Sequence, residues 1–180
     1  VRQEQYLTDR DRNEAGKFGP EWGDVEKREE ENCYFKLSEH AEWLKSTVEN
    51  DDLKIIPEFR KNEVLNAIER AGETDLCISR PKERMSWGIP LPFDPDFVTY
   101  VWFDALINYL TGIGYPDSEE FSHYWEVAEH VIAKDILKPH AIYWPTMIKA
   151  IGLAPYQRIH VHCYWSIHET KMSQHIVTVT

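Results

Sequence analysis

From residue 97 onward, β-branched and aromatic runs alternate with helical stretches, and nothing else in the sequence constrains the fold as tightly. Residues 97–103 read as a β-rich run, and 104–110 as a helix stopped near Gly112 and Gly114. Residues 130–133 form a short apolar strand. Residues 139–151 are helical up to Gly152, and 158–165 are again a strand. Strands that alternate with helices pair in parallel, because a parallel connection needs a crossover long enough to hold a helix. The expected fold class is therefore α/β, a parallel sheet with crossover helices.

The first half of the chain has a different texture. Residues 1–33 are polar, with Gly16, Gly19, Pro20 and Gly23 clustered, and read as a linker with a short strand at 5–7. Ser38 is placed to cap a helix through Glu49, with Leu37, Ala41, Leu44 and Val48 on one stripe. Asn62 is placed to cap a second helix, 63–71, ended by Gly72, with Val64, Leu65, Ile68 and Ala71 inward. A strand at 76–79 follows, and Pro90, Pro92 and Pro95 punctuate a loop. The expected division is 1–95 and 96–180.

At 180 residues and 42% hydrophobic content, the chain can bury a real core. No apolar run approaches the ~20 residues of a membrane span, so no membrane partner is expected. No secretory signal is expected either. The net charge of −11 leaves no basic stripe of the kind that grips RNA. The acidic run Glu26, Glu29, Glu30 and Glu31 reads as a solvated face. Cys33, Cys77 and Cys163 are far apart and form no Cys-x-x-Cys pair, so no structural zinc is expected. They read as free, buried thiols of a reducing compartment.

In an open parallel sheet, ligands sit beyond the carboxyl ends of the strands. Three expected strand ends carry polar or large aromatic groups: Trp102 and Asp104; Lys134 and Asp135; His162, Tyr164 and Trp165. Such a rim suits a small-molecule site. Asp135 reads equally as a helix cap and as a ligand group. His140 and Trp144 share a helix face, which by pattern alone is core packing. Pro145 removes a helix hydrogen bond beside that face and should kink the helix. His160 and His162 point to one side of a strand, without a third residue to complete a metal site.

The stretches Val101-Trp102-Phe103-Asp104-Ala105-Leu106-Ile107-Asn108-Tyr109 and Lys134 through Pro145, with Lys171-Met172-Ser173, resemble the second half of a methionyl-tRNA synthetase catalytic domain. The resemblance covers nearly the whole chain. It implies the C-terminal half of a class I Rossmann-type sheet over 96–180, preceded by part of the connective region. Trp102, Ala105, Tyr109, Ile136, His140 and Trp144 match the family's methionine pocket. Lys134, Asp135, His162, Tyr164, Trp165 and Lys171 match its ATP site. Lys171 and Ser173 open its catalytic Lys-Met-Ser-Lys-Ser loop. The implied substrates are methionine, ATP with Mg2+, and initiator and elongator methionine tRNA.

Departures accompany the match. Ala133 and Cys163 replace family glycines. Gln174 and His175 replace the Lys-Ser that closes the loop, and Glu169 replaces its turn glycine. The HIGH signature of the family's first half is not in this sequence. These features make an inactive fragment or binding module the alternative to a working ligase. A second alternative, another class I synthetase, is opposed by Trp102, Tyr109, His140 and Trp144 together. The motif wording resembles organellar and bacterial forms, which points to the mitochondrial matrix, with the cytoplasm as alternative.

Overall fold

The computed structural model describes residue 18, residues 30–73 and 75–164, and the backbone of 166–167 and 170–171. The expected strand at 5–7 lies outside these residues, as does nearly all of the polar linker. The chain divides into two compact units, Val1–Glu31 and Asn32–Thr180.

The core of the second unit is a parallel three-stranded sheet. Strand β1 (Tyr34–Phe35) precedes a 3-10 turn, Leu37–His40, and helix α1 (Ala41–Glu49). Strand β2 (Lys54–Ile56) leads into helix α2 (Phe59–Ala71). The unit continues with β3 (Leu76–Cys77), β4 (Ser79–Pro81), β5 (Pro90–Leu91), β6 (Asp94–Thr99), α3 (Val101–Thr111) and α4 (Phe121–Trp125). Then come β7 (Glu129–Ala133), helical turns over 134–143, α5 (Trp144–Ala150) and β8 (Arg158–His162). A last hairpin pairs β9 (Ser166–Ile167) with β10 (Thr170–Lys171).

The parallel sheet runs in the order β2–β8–β7, with Ile55 opposite Ile159 and Ala133 opposite His162. It thus draws strands from both sides of residue 95. A separate antiparallel sheet has the order β4–β6–β5. There the proline-punctuated stretch forms a hairpin rather than a loop, with Pro90 on an outer strand, where a missing N–H costs no ladder bond. β1 and β3 pair antiparallel on their own.

Burial explains the arrangement. Leu44 and Val48 of α1, Val64 and Ile68 of α2, and Ile148 of α5 are at most 2% exposed and meet Ile55 and Ile159 in one cluster. Fully burying a side chain of this size stabilises the fold by about 1.5–3 kcal/mol. The expected stripes are thus the ones buried, except that Ala41 and Leu65 are only half-buried. The cysteines expected to be buried are not, since Cys33 and Cys77 are half-buried and Cys163 is exposed.

The helix starts differ from expectation. Ser38 lies inside the 3-10 turn, and its hydroxyl donates to Asp75 at 2.7 Å instead of capping α1. Helix α2 begins at Phe59, so Asn62 is interior to it. Strand β6 ends at Thr99, and Val101, Trp102 and Phe103 belong to α3. Helix stops fare better. Gly152 takes φ +81° after α5; its N–H donates to Lys149 O, and the Leu153 N–H donates to Ile148 O. This left-handed closure satisfies carbonyls that would otherwise be orphaned. Gly114, at φ +84°, closes α3 in the same manner, with the Tyr115 N–H on Leu110 O.

The crossover between β7 and β8 holds the most unusual backbone. A 3-10 turn, Lys134–Ile136, is followed by a π-type turn, Pro139–Tyr143, in which the Trp144 N–H reaches back to Pro139 O. Pro145 has no N–H to offer to the preceding turn, and the irregularity expected beside it takes this form. Wide turns of this kind recur at functional sites.

Candidate active site

Helix α3 sets Trp102, Ala105 and Tyr109 at spacings that share one face. The π-type turn faces them with His140. The Tyr109 hydroxyl lies 2.9 Å from His140 Nε2, and His140 Nδ1 lies 2.9 Å from Ile136 O. A carbonyl can only accept, so Nδ1 carries the proton. His140 is 2% exposed, and burial lowers its pKa, so the ring is neutral and Nε2 accepts from Tyr109. The Trp102 ring meets His140 edge-on at 6.4 Å. Five of the six expected pocket residues are therefore linked by direct contacts. The sixth, Ala105, is solvent-facing on α3 between Trp102 and Tyr109.

Trp144 stands deeper, 1% exposed, with its ring 5.9 Å from Tyr109. Its indole N–H donates to His130 Nε2 at 3.1 Å. It meets the core-packing expectation while touching Tyr109, a residue expected in the pocket. His130, on β7, is a residue that sequence reasoning missed. Burial and the nearby His140 lower its pKa from 6.5 to about 4. The sequence signal was its alternation with Ile132, which puts both on the buried face of the strand. Tyr156 was missed as well. It is fully buried, its hydroxyl donates to His140 O, and burial raises its pKa well above 10.

The second cluster lies at the carboxyl ends of β7 and β8. Lys134 is exposed just beyond β7, and its ammonium stands 4.8 Å over the Tyr164 ring. Asp135 is exposed in the first turn of the 3-10 segment, where Ala133 holds the N-cap position, so the cap expectation fails. His162 is exposed at the end of β8 and donates from Nδ1 to Cys163 O at 2.8 Å. His160 is held by Glu129 at 2.7 Å. Trp102 and Asp104 are helical, so the third rim group comes from α3 and not from a strand end. Lys171 belongs to β10 by its backbone. Trp165, Ser173, Glu169, Gln174, His175 and the Lys171 side chain lie outside the described residues.

Among the described residues, no group of three or more His, Cys, Asp and Glu is placed to hold a metal ion. Among them too, no helix is long and apolar enough to cross a membrane.

A sequence profile of the family "tRNA synthetases class I (M)" matches residues 22–179. The chain belongs to the methionyl-tRNA synthetase family. It is 45% identical over 150 residues to the mitochondrial methionine–tRNA ligase of Mus musculus, covering 83% of this chain and 25% of that protein. It is 43% identical over 152 residues to the methionine–tRNA ligase of Clostridium perfringens, covering 83% of this chain and 23% of the relative. Mitochondrial and bacterial family members are thus equally similar. A crystal structure of the Mycobacterium tuberculosis methionyl-tRNA synthetase bound by methionyl-adenylate superposes with a TM-score of 0.74 at 40% identity. That match covers 81% of this chain and 29% of the other. The chain spans about a quarter of the length of the curated synthetases it matches. The α/β class and the class I fold expected from the sequence are those of the family.

Proposed function

We propose that the chain contributes the methionine pocket and one side of the ATP site of a methionine–tRNA ligase. The observation that carries this reading is the cluster of Trp102, Tyr109, His140 and Trp144, in a chain that also presents Lys134 and Tyr164 beyond β7 and β8. A thioether is soft and polarizable and gains from aromatic edges, which Trp102 and Tyr109 supply. Ala105 leaves room between them, and Ile136 adds an apolar side. Lys134, Asp135, His162, Tyr164 and Trp165 would hold the adenosine. Lys171 and Ser173 would address the phosphates, and Mg2+ would arrive on the nucleotide as part of the substrate.

The reaction has two steps. A methionine carboxylate oxygen bonds to the α-phosphorus of ATP, and the bond to the β-phosphate oxygen breaks, releasing pyrophosphate. A hydroxyl at the 3′ end of an initiator or elongator methionine tRNA then attacks the acyl carbon, and AMP leaves. Positioning and charge placement carry the rate, with no covalent enzyme intermediate. We infer the mitochondrial matrix as the compartment, which the murine relative supports and cell fractionation would test.

Gln174 favours a second reading for the isolated chain, binding without turnover. The family places a lysine there, and loss of one preorganised donor costs roughly a hundred- to thousandfold in rate. Two assays separate the readings. Calorimetry should find methionine bound more tightly than leucine, which lacks the polarizable sulfur that gains from aromatic edges. ATP–pyrophosphate exchange dependent on methionine should be absent. Clear exchange by the 180-residue chain would overturn the binding-only reading. Equal uptake of methionine and leucine would overturn the pocket.

A further inference from the structure

His130 stands behind the pocket and not on it. It is 8% exposed, on the inward face of β7. Its ring lies 4.5 Å from Tyr109 and 5.4 Å from His140, both nearly edge-on. Tyr156 closes the far side at 4.3 Å. A fourth neighbour, Trp144, donates its indole N–H to the ring. An indole N–H only donates, so His130 Nε2 carries no proton and the ring is the Nδ1–H tautomer. Three of these four neighbours line the pocket.

We propose that His130 is the positioning residue of the methionine pocket, an acceptor that fixes the Trp144 indole and a ring that backs Tyr109. The proposal rests on the methionine reading of that pocket. Trp144 is buried, so its N–H has no water to turn to if the acceptor is lost. The indole must then rotate to find a partner, and rotation moves the ring that supports Tyr109. Tyr109 donates to His140, so the disturbance reaches two residues of the proposed pocket, one of them an aromatic edge expected to touch the thioether. The order of action is His130 to Trp144 to Tyr109, with no contact between His130 and substrate.

Two substitutions separate acceptor from shape. His130→Phe keeps a ring but offers no acceptor. His130→Gln gives up the ring and keeps an amide oxygen at the reach of Nε2. Methionine binding to the 180-residue chain is measured by calorimetry for wild type, H130F, H130Q and the pocket variant W102A. Exchange of the Trp144 indole N–H is followed by NMR in the same proteins. H130F should weaken binding on the order of tenfold or more, the effect of an unsatisfied buried donor, and should speed indole exchange. H130Q should stay near wild type in both. W102A should weaken binding with the indole still protected. Wild-type binding and slow exchange in H130F would overturn the proposal. If the wild-type chain takes up no methionine, or W102A leaves binding unchanged, the pocket reading fails. The indole exchange then decides alone whether His130 holds Trp144. If H130F does not fold, H130Q carries the test, and fast indole exchange there overturns the proposal.

Discussion

The buried imidazole of His130 should make the fold sensitive to mild acid. Its pKa is lowered from 6.5 to about 4 by burial and by His140. Among the described residues its ring and hydrogen-bond contacts are aromatic or imidazole rings, none of them a carboxylate that could stabilise a cation. In the unfolded chain the group protonates near pH 6.5, whereas in the folded chain it waits until about pH 4. Between those values the unfolded state binds more protons, so stability falls as pH falls. Each pKa unit corresponds to about 1.4 kcal/mol, so the whole window removes about 3 kcal/mol. That is a large share of the 5–15 kcal/mol typical of a domain. His140, whose pKa is also lowered by burial, adds in the same direction. Paired carboxylates such as Glu129 and Asp75 have lowered pKa values and lose their contribution at lower pH. The assay is urea unfolding at a series of pH values from 7 to 4 for wild type and H130Q. The glutamine does not titrate, so the difference between the two pH dependences isolates His130. Parallel curves would refute the reasoning.

Three further outcomes are expected. Gly152→Ala should cost about 1–2 kcal/mol through its left-handed backbone alone, because an added Cβ meets nothing within 4 Å; an unchanged thermal midpoint would contradict the left-handed closure of α5. Tyr109→Phe should cost about 1 kcal/mol by leaving His140 Nε2 without its donor, and urea midpoints at pH 7 would reveal a neutral change if the bond is absent. Strand β7 is an outer strand of its sheet, and its Val131 is 74% exposed. The 180-residue chain should therefore self-associate, and a monodisperse monomer in sedimentation velocity would count against this.

The sequence was most legible where signals are local. Gly152 and Gly114 end helices by their own backbone freedom, so the stops at α5 and α3 could be read without the fold. The 3.6-residue stripes of α1 and α2 name their buried faces for the same reason. Errors arose where a distant partner decides. Ser38 looks like a cap until Asp75 arrives from 37 residues away and takes its hydroxyl. Val101-Trp102-Phe103 has strand composition, and the ladder β4–β6 alone ends the strand, its last pair being Ser79 with Thr99.

The same division runs through the site. Trp102, Ala105 and Tyr109 sit at helical spacing on α3, and His140 and Trp144 stand four apart in the crossover between β7 and β8, so each half of the proposed pocket is written in the local sequence. What joins the halves is not. The tautomer of His140 follows from Ile136 O, and Tyr109 can donate to Nε2 only because that tautomer is fixed. His130 reads as one more position in an apolar strand until Trp144, fourteen residues on, turns its indole N–H toward it. A buried polar atom must be paired, and the crossover geometry alone says by whom. The aromatic residues of the proposed pocket therefore announce themselves in the sequence, whereas the imidazole that accepts from Trp144 is defined only by the return of the chain over the sheet.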